Sequence, residues 1–395
     1  MATTLSMGVP GVHLQERRAP VARALPTGVP VFIGLLAPNA RVPAGVPADA
    51  DAYGPVAVHH KTEFLGGAAE HLGHAVDGFF DNGGRYCYVV AIKADPASGA
   101  AAAQRMIDAL DVTFGLDDVD LVAVPDAHTL LETGGAVAGP LVLEVQRAVI
   151  RHCASVGTRI AILDAFRGRS AQALIADQVK QLGVSAIGPV NAALYHPWIR
   201  TIASGEDFVP PCGQVAGIIA RTDAEAGVFK APANAAVQDA TDVDADLDAS
   251  SLTLLNAHGV NCIRSFPSRG IRVWGARTLS SDPDWAYLNV RRLVMTVMRW
   301  IDLNMTWATF EPNVPALWAR IERELGTYLT GLWRAGALQG DVATDAFFVR
   351  CDAELNPADT RETGQVVTEI GLAVIAPAEF IVVSVQHRAG TTELT

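Results

Sequence analysis

Between residues 62 and 199, short apolar runs alternate with segments of helical period. Helices are predicted near Ala68–Phe80, Ala100–Leu110, Gly139–Val156 and Ala171–Leu182. Between and after them stand RYCYVVAI, DLVAVPD, TRIAILDA and VSAIGPVNAALYHPWI, apolar on both faces over much of their length. Such strands belong in sheets covered on both sides, so the pattern predicts a mainly parallel sheet between helix layers. The first helix stops at Asn82-Gly83-Gly84, residues that tolerate positive φ. One earlier buried strand is expected at Val29–Leu36, followed by a Pro/Gly/Ala-rich loop from Pro38 to Pro55.

The pattern changes after residue 221. Thr222 to Ser250 is poor in large apolar residues and carries Asp239, Asp242, Asp244, Asp246 and Asp248, which reads as a domain boundary or a surface excursion. Strands are expected again at Asn261–Phe266 and Ile271–Ala276. Asp282-Pro283 is a helix start, an N-cap followed by proline at the first helical position. The helix after it places Leu293, Val294, Val297, Met298 and Ile301 on an apolar face, with Arg292, Thr296 and Arg299 opposite. A second helix starts near Asn313–Pro315, carries the stripe Leu317, Ile321, Leu325, Tyr328, Leu332 and ends by Gly336. Three strand-like runs close the chain: DAFFVRCD, QVVTEIGLAVI and EFIVVSVQHR. Helices followed by strands indicate an α+β unit after the α/β one. At the other end, Gly8, Pro10, Gly11 and Pro20 forbid a helix, so residues 1–20 form an extended arm with Val9, Val12 and Leu14 as scattered apolar points.

Composition removes several classes of function. The 395 residues are half apolar, enough for a packed core of two or three domains. The net charge of −12 argues against nucleic acid as the main partner. No apolar run reaches the roughly 20 residues that span a bilayer; the longest, near Ala373–Val385, is broken by Pro377 and Glu379. The N-terminus has no charged-then-apolar pattern, so no Sec export is expected. The five cysteines, Cys87, Cys153, Cys212, Cys262 and Cys351, are too dispersed for a disulfide framework or a zinc site and read as buried thiols.

Motifs for chemistry fail one by one. There is no G-x-x-x-x-G-K-[ST] and no G-x-G-x-x-G opening a helix, so nucleotide binding has no signature. Ser170 and Ser185 lack the G-x-S-x-G elbow. Asp242, Asp244 and Asp246 match the first positions of a calcium loop, but Leu247 and Thr253 stand where Gly and Glu are needed. His59, His60, His71 and His74 lack a third placed ligand and read as surface or helix-face histidines. Asp164 ends a strand where α/β enzymes place catalytic groups, yet no partner motif accompanies it, which favours a structural role. The stripe Trp300, Trp307, Trp318, Trp333 reads as core or subunit contact.

Long ordered segments instead resemble one family, the tail sheath proteins of contractile phage tails and related injection particles. GVPGVHLQE resembles the family's N-terminal arm, TGVPVFIGLLAP its first strand, and FFDNGGRYCYVV a characteristic helix-to-strand element. PPCGQVAGIIARTDAEAGVFKAPAN, residues 210–234, resembles its central segment, with Cys212 where serine is common. GVNCIRSFP, GIRVWGARTLS, NVRRLVMTVMRWIDLNMTWATFEPN, LWARIERELGTYLTGLWRAGAL, AFFVRCD and IGLAVIAPAEFIVVSVQ follow in the family's order. The chain is short for the family, which suits a minimal particle of the R-type pyocin or extracellular injection kind.

The resemblance implies a tail-sheath fold, α/β and α+β in two domains, with extended N- and C-terminal β arms. The expected division is an arm at 1–20, an inner-domain strand and connection at 21–85, a middle or outer α/β domain at 86–250, an inner α+β domain at 251–380 and a C-terminal arm at 381–395. It implies a non-enzymatic, cofactor-free and metal-free subunit that polymerises as six-fold rings around an inner tube and drives it through an envelope. Contacts between subunits are expected from Val9, Val12 and Leu14 and from Ile381, Val382, Val383 and Val385, since an extended strand can join a neighbour's sheet edge. Contact with the inner tube is expected from Arg320, Glu322, Arg323 and Arg334. The other implied partners are the baseplate and the terminator or cap proteins, with no nucleic acid and no membrane insertion. Assembly is expected in the bacterial cytoplasm, before the subunit becomes part of a virion or a released or cytoplasmic particle. The alternatives are a baseplate-proximal sheath paralogue and a soluble α/β enzyme.

Overall fold

Successive side chains of a strand point to opposite faces, so a strand apolar throughout must be covered twice. In β1 (Pro30–Leu35) this is met residue by residue: Val31, Ile33 and Leu35 enter one core and Phe32 the other. The structure, a computed structural model, describes residues 25–36, 52–63, 70–93, 99–130, 138–184, 187 and 190–379.

In chain order β1 is followed by β2 (Ala52–Val58), α1 (Glu70–Asp81), β3 (Cys87–Ile92), α2 (Ala100–Asp108), β4 (Leu121–Ala123), α3 (Ala138–Val156) and β5 (Ile160–Asp164). Helix α4 begins at Ala171–Leu174 and passes through a π-helical turn, Ile175–Val179, to Lys180–Leu182. Then come β6 (Ala192–His196), β7 (Ile199–Thr201), β8 (Phe208–Val209), α5 (Cys212–Ala226), β9 (Ala235–Ala236), β10 (Ala240–Val243), α6 (Ala249–Ala257), β11 (Val260–Phe266) and β12 (Gly270–Trp274). The last long elements are α7 (Leu288–Asn304), α8 (Pro315–Arg334), β13 (Phe347–Arg350) and β14 (Glu369–Leu372).

One nine-stranded sheet organises the molecule, in the order β2-β3-β1-β4-β5-β6-β11-β12-β9. The strands from β3 to β11 pair in parallel; β2 at one edge and β12 with β9 at the other are antiparallel. Residues of α2, α3, α4 and α6 cover one face and those of α1 and α5 the other. Helices α1 and α5 pack almost backbone to backbone. A Cβ at Gly213 would overlap the Ala75 carbonyl, and one at Gly217 the Phe79 carbonyl, so only glycine fits at either crossing point. A three-stranded sheet, β10-β7-β8, and the ribbon β13-β14 stand apart from the main sheet.

The boundary expected between 250 and 251 does not coincide with a break in this sheet. Strands β11 and β12, from its far side, extend the sheet from β6. Nor is β1 a separate connection, because it pairs with both β3 and β4. The reason is non-local: a solvent-facing acidic loop between two strands leaves no trace of whether they share hydrogen bonds. The run 184–199 is also divided, with β6 ending at His196 and β7 starting at Ile199. Helix α5 had no helical prediction. It is buried all round from Cys212 to Ala220, so it has no polar stripe to reveal its period.

The largest departure concerns α7. Arg292 and Arg299, expected on its polar face, are buried, and Met298 is exposed. This helix lies between two cores: Leu288 and Met295 join the sheet's second face, Leu293 packs with Ala337 and Leu338, and Trp300 and Ile301 pack on α8. A helix packed on both sides can bury a guanidinium only where carboxylates or carbonyl oxygens accept from it. Arg292 meets Asp223 at 2.6 Å and Asp120 at 2.8 Å. Asp120 in turn accepts the backbone N–H groups of Gly28 and Val29 at 3.0 and 2.7 Å. The last third of the chain is thereby fastened to the start of the sheet.

Candidate functional site

Helix α8 is amphipathic, with Leu317, Trp318, Ile321, Leu325 and Leu329 buried. The expected tube-contact residues separate on its surface. Arg320, Arg323 and Arg334 are exposed. Arg320 is held by two neighbours, its guanidinium 3.5 Å above the Trp307 ring and 3.2 Å from Glu324. Arg323 and Arg334, eleven residues apart, share one helix face because three turns take about eleven residues. Glu322 does not share that face: its carboxylate accepts the Cys351 N–H at 2.8 Å and clamps the end of β13. The Trp stripe is core, with Trp318 buried and Trp300 stacked on Tyr328 at 3.9 Å.

The ribbon β13-β14 rests on α8 through Val349 and Ile370, while Phe348 faces outward and is 51 % exposed. Arg350 and Glu369, cross-strand partners, form an ion pair at 2.8 Å. Each ribbon strand pairs along its length only with the other, with one bridge from Val374, just past β14, to Leu338, so among the described residues each strand has an outer main-chain edge. Such an edge is a template for another strand. The arm residues Val9, Val12, Leu14, Ile381, Val382, Val383 and Val385 lie outside the described residues. Glu379, two residues before the expected C-terminal arm, is paired with Arg277 beside β12.

Polar groups at the C-terminal ends of the parallel strands are closed to substrate. Asp164 is 3 % exposed; burial pushes its carboxyl up to about 7, against hydrogen bonding from Cys212 at the first turn of α5. Its carbonyl accepts from Gln146 and Gln178 at 2.9 and 3.0 Å. Burial likewise raises Asp126 to about 6, although Asp126 accepts the N–H groups of Leu35, His71 and Leu72 and so caps α1. Desolvation lowers His128 to about 3 and His196 to about 4, leaving both neutral. His71, read as a surface or helix-face histidine, lies on the buried face of α1 and meets the Trp198 ring edge-on at 5.2 Å. All five cysteines are free and buried. The acidic run is a surface excursion with assigned partners: Asp239 accepts from Asn82 and Gln214, Asp242 pairs with Arg200, Asp244 with Arg167, and Asp248 caps α6. Among the described residues no cluster of His, Cys, Asp and Glu is placed to hold a metal ion, and no helix is long and apolar enough to cross a membrane.

Comparison with known proteins gives a consistent result. Residues 99–279 match the phage tail sheath protein central domain, and residues 280–388 match the phage tail sheath C-terminal domain. A prophage major tail sheath protein of Pseudomonas aeruginosa is 30% identical over 177 residues, which are 43% of this chain and 44% of that protein. The chain therefore spans less than half the length of that curated relative in the match. Solved structures align over nearly the whole chain. The anti-feeding prophage baseplate in its contracted state superposes with a TM-score of 0.75 at 29% identity, covering 96% of this chain and 99% of that one. The anti-feeding prophage helical sheath in its contracted state gives 0.71 at 28%, with the same coverage. The sheath complex of an extracellular contractile injection system, PVC, gives 0.70 at 25%, covering 97% and 98%. The two domain models abut at residues 279 and 280, just before the Asp282-Pro283 helix start, and together run from 99 to 388; the chain belongs to the phage tail sheath family.

Proposed function

We propose that the chain is the structural subunit of a contractile sheath, polymerising as six-fold rings in a helical tube around an inner tube and shortening to drive that tube through an envelope. The observation that carries this reading is the likeness, over more than nine-tenths of the chain, to sheath subunits in contracted particles. No nucleotide enters the cycle. Subunits turn as near-rigid bodies from one packing to another, and linked contacts sum small gains into work. The rigid body here is the nine-stranded sheet with α7 locked to it through Arg292. The arms, 1–20 and 381–395, are the connections, and the outer edges of β13-β14 are where a neighbour's arm strands add. We place the working division of the chain near residue 280 rather than 250.

For the inner tube we retain Arg320, Arg323 and Arg334 on the open face of α8 and assign Glu322 to positioning β13. Baseplate and cap proteins are the end partners, and the subunit is assembled in the cytoplasm. A baseplate-proximal ring subunit is the second reading, favoured by the likeness to the anti-feeding prophage baseplate. Negative-stain electron microscopy tests both. The full chain, with its inner tube, should form long hollow tubes, and a variant lacking residues 1–18 should not. Single rings that never extend would establish the second reading, and dispersed particles under all conditions would refute both.

A further inference from the structure

The hairpin of β11 and β12 carries a charge arrangement that the described residues leave unneutralised. Arg264 and Arg272 are direct cross-strand partners, and like charges placed so are destabilising. Arg269 stands in the connecting turn. Arg269 and Arg272 both donate to Asn234, at 2.8 and 2.6 Å, and Arg264 and Arg269 flank the Phe266 ring at 5.0 and 5.6 Å. Phe266 in turn packs on Trp274, which is 42 % exposed. Among the described residues none of the three guanidiniums has a carboxylate within ion-pair distance. The chain has 42 acidic residues against 30 basic ones, so this vacancy is not a shortage of acid. The nearby acidic run is committed elsewhere through Asp239, Asp242, Asp244 and Asp248. Asn234 and Trp274 also line a groove of about 710 Å³ whose walls include Leu252, Val260 and Ala276.

The complement lies across the molecule. Between α2 and β4 the chain exposes Val112 and Phe114, 45 % and 52 %, the latter against His152, and the same stretch carries the exposed carboxylates Asp108, Asp111 and Asp117. This turn precedes β4, at the N-terminal end of the parallel strands, and Asp118 ties it to Tyr86 just before β3 and Tyr88 within it. The hairpin turn follows β11, at the C-terminal end, on the far side of β5 and β6. With strands about 4.8 Å apart the two patches stand three to five strands from one another and cannot meet within one subunit. Basic-and-aromatic against acidic-and-apolar, on different faces of one chain, is a head-to-tail contact, the kind that builds helical polymers.

We propose that the β11-β12 hairpin of one copy docks on the 108–117 turn of a second copy, with Val112 and Phe114 entering the groove beside Trp274 and the three arginines meeting Asp108, Asp111 and Asp117. This rests on the sheath reading and names one of its contacts. The test uses the full chain with its inner tube and counts assembled subunits by sedimentation and microscopy. Arg264→Glu with Arg269→Glu, and separately Asp111→Arg with Asp117→Arg, should each cut assembly at least about tenfold, the loss of one close charge pair or more. One chain carrying all four changes should recover, because every contact is again complementary. Arg264→Glu should raise the melting temperature of the unassembled subunit, since it turns a repulsive cross-strand pair into an attractive one, so its loss of assembly cannot come from a failure to fold. Normal assembly of either double variant overturns the contact and leaves the sheath reading standing. Failure of the fourfold variant where both double variants fail assigns the hairpin to another partner, such as the tube, and also overturns it. Absence of assembly by the unaltered chain removes the sheath reading and the contact together.

Discussion

At residue scale, the molecule is decided by a few buried charges. Arg292 is 3 % exposed. Burial disfavours its charge, but Asp223 and Asp120 outweigh that and raise its pKa. Removing one partner from such a pair leaves an uncompensated buried charge, so Arg292→Met should cost about 3–5 kcal/mol in urea unfolding. Asp164 gives a pH test. Its pKa rises from 3.8 unfolded to about 7 folded, so its contribution is complete below its unfolded value and is lost as pH rises through 7. His128 and His196 run the other way, from 6.5 to about 3 and about 4, with stability complete above 6.5 and lost as pH falls. Asp164→Asn removes only the first effect. The variant should therefore gain on the unaltered chain between about pH 4 and pH 7, read as a diverging pair of urea midpoints. The sequence placed Asp164 at a strand end and assigned it a structural role. Arg292 meets carboxylates 69 and 172 residues away, and Cys212 meets Asp164 from α5.

At the scale of elements, the glycine crossing of α1 and α5 and the loop before α8 make opposite predictions. Gly213 and Gly217 hold two helix backbones in contact. Gly213→Val should cost about 3 kcal/mol or more, because the overlap is with main chain that cannot rotate away, and thermal unfolding reads it. Phe310, in the loop between α7 and α8, has φ of 67° and is fully exposed. It supplies no packing, so Phe310→Gly should stabilise the subunit by about 1 kcal/mol, the cost of a left-handed side-chain-bearing residue. The stripe of α8 was legible because that helix has one wet face, and β1, β3 and β5 were legible because short apolar runs between turn signals have few alternatives. Helix α5 and the true inner face of α7 were not, since a helix buried on every side loses the periodicity that marks it.

For the whole molecule, the proposal separates folding from assembly. The nine-stranded sheet and its two cores need neither arm among their described contacts. A chain ending at residue 380 should keep its melting temperature within about 2 °C, a shift of well under 1 kcal/mol for a domain of this size. The same chain should form no tubes. Loss of the melting transition instead would place the C-terminal arm within its own subunit and remove the exchange of strands between copies.

The sequence by itself determined the composition of the cores, the alternation of helices with parallel strands, the amphipathic α8 and, through long ordered resemblance, the tail sheath family. These depend on local period and on segment identity, both written along the chain. Only the tertiary structure decided that β11 and β12 complete the sheet, that Arg292 and Arg299 point inward, that Glu322 clamps β13, and that Arg264, Arg269 and Arg272 gather without a carboxylate partner among the described residues. Each of those depends on which distant residue stands opposite. Burial of a charge is set by its partners in space, and no window along the chain contains them.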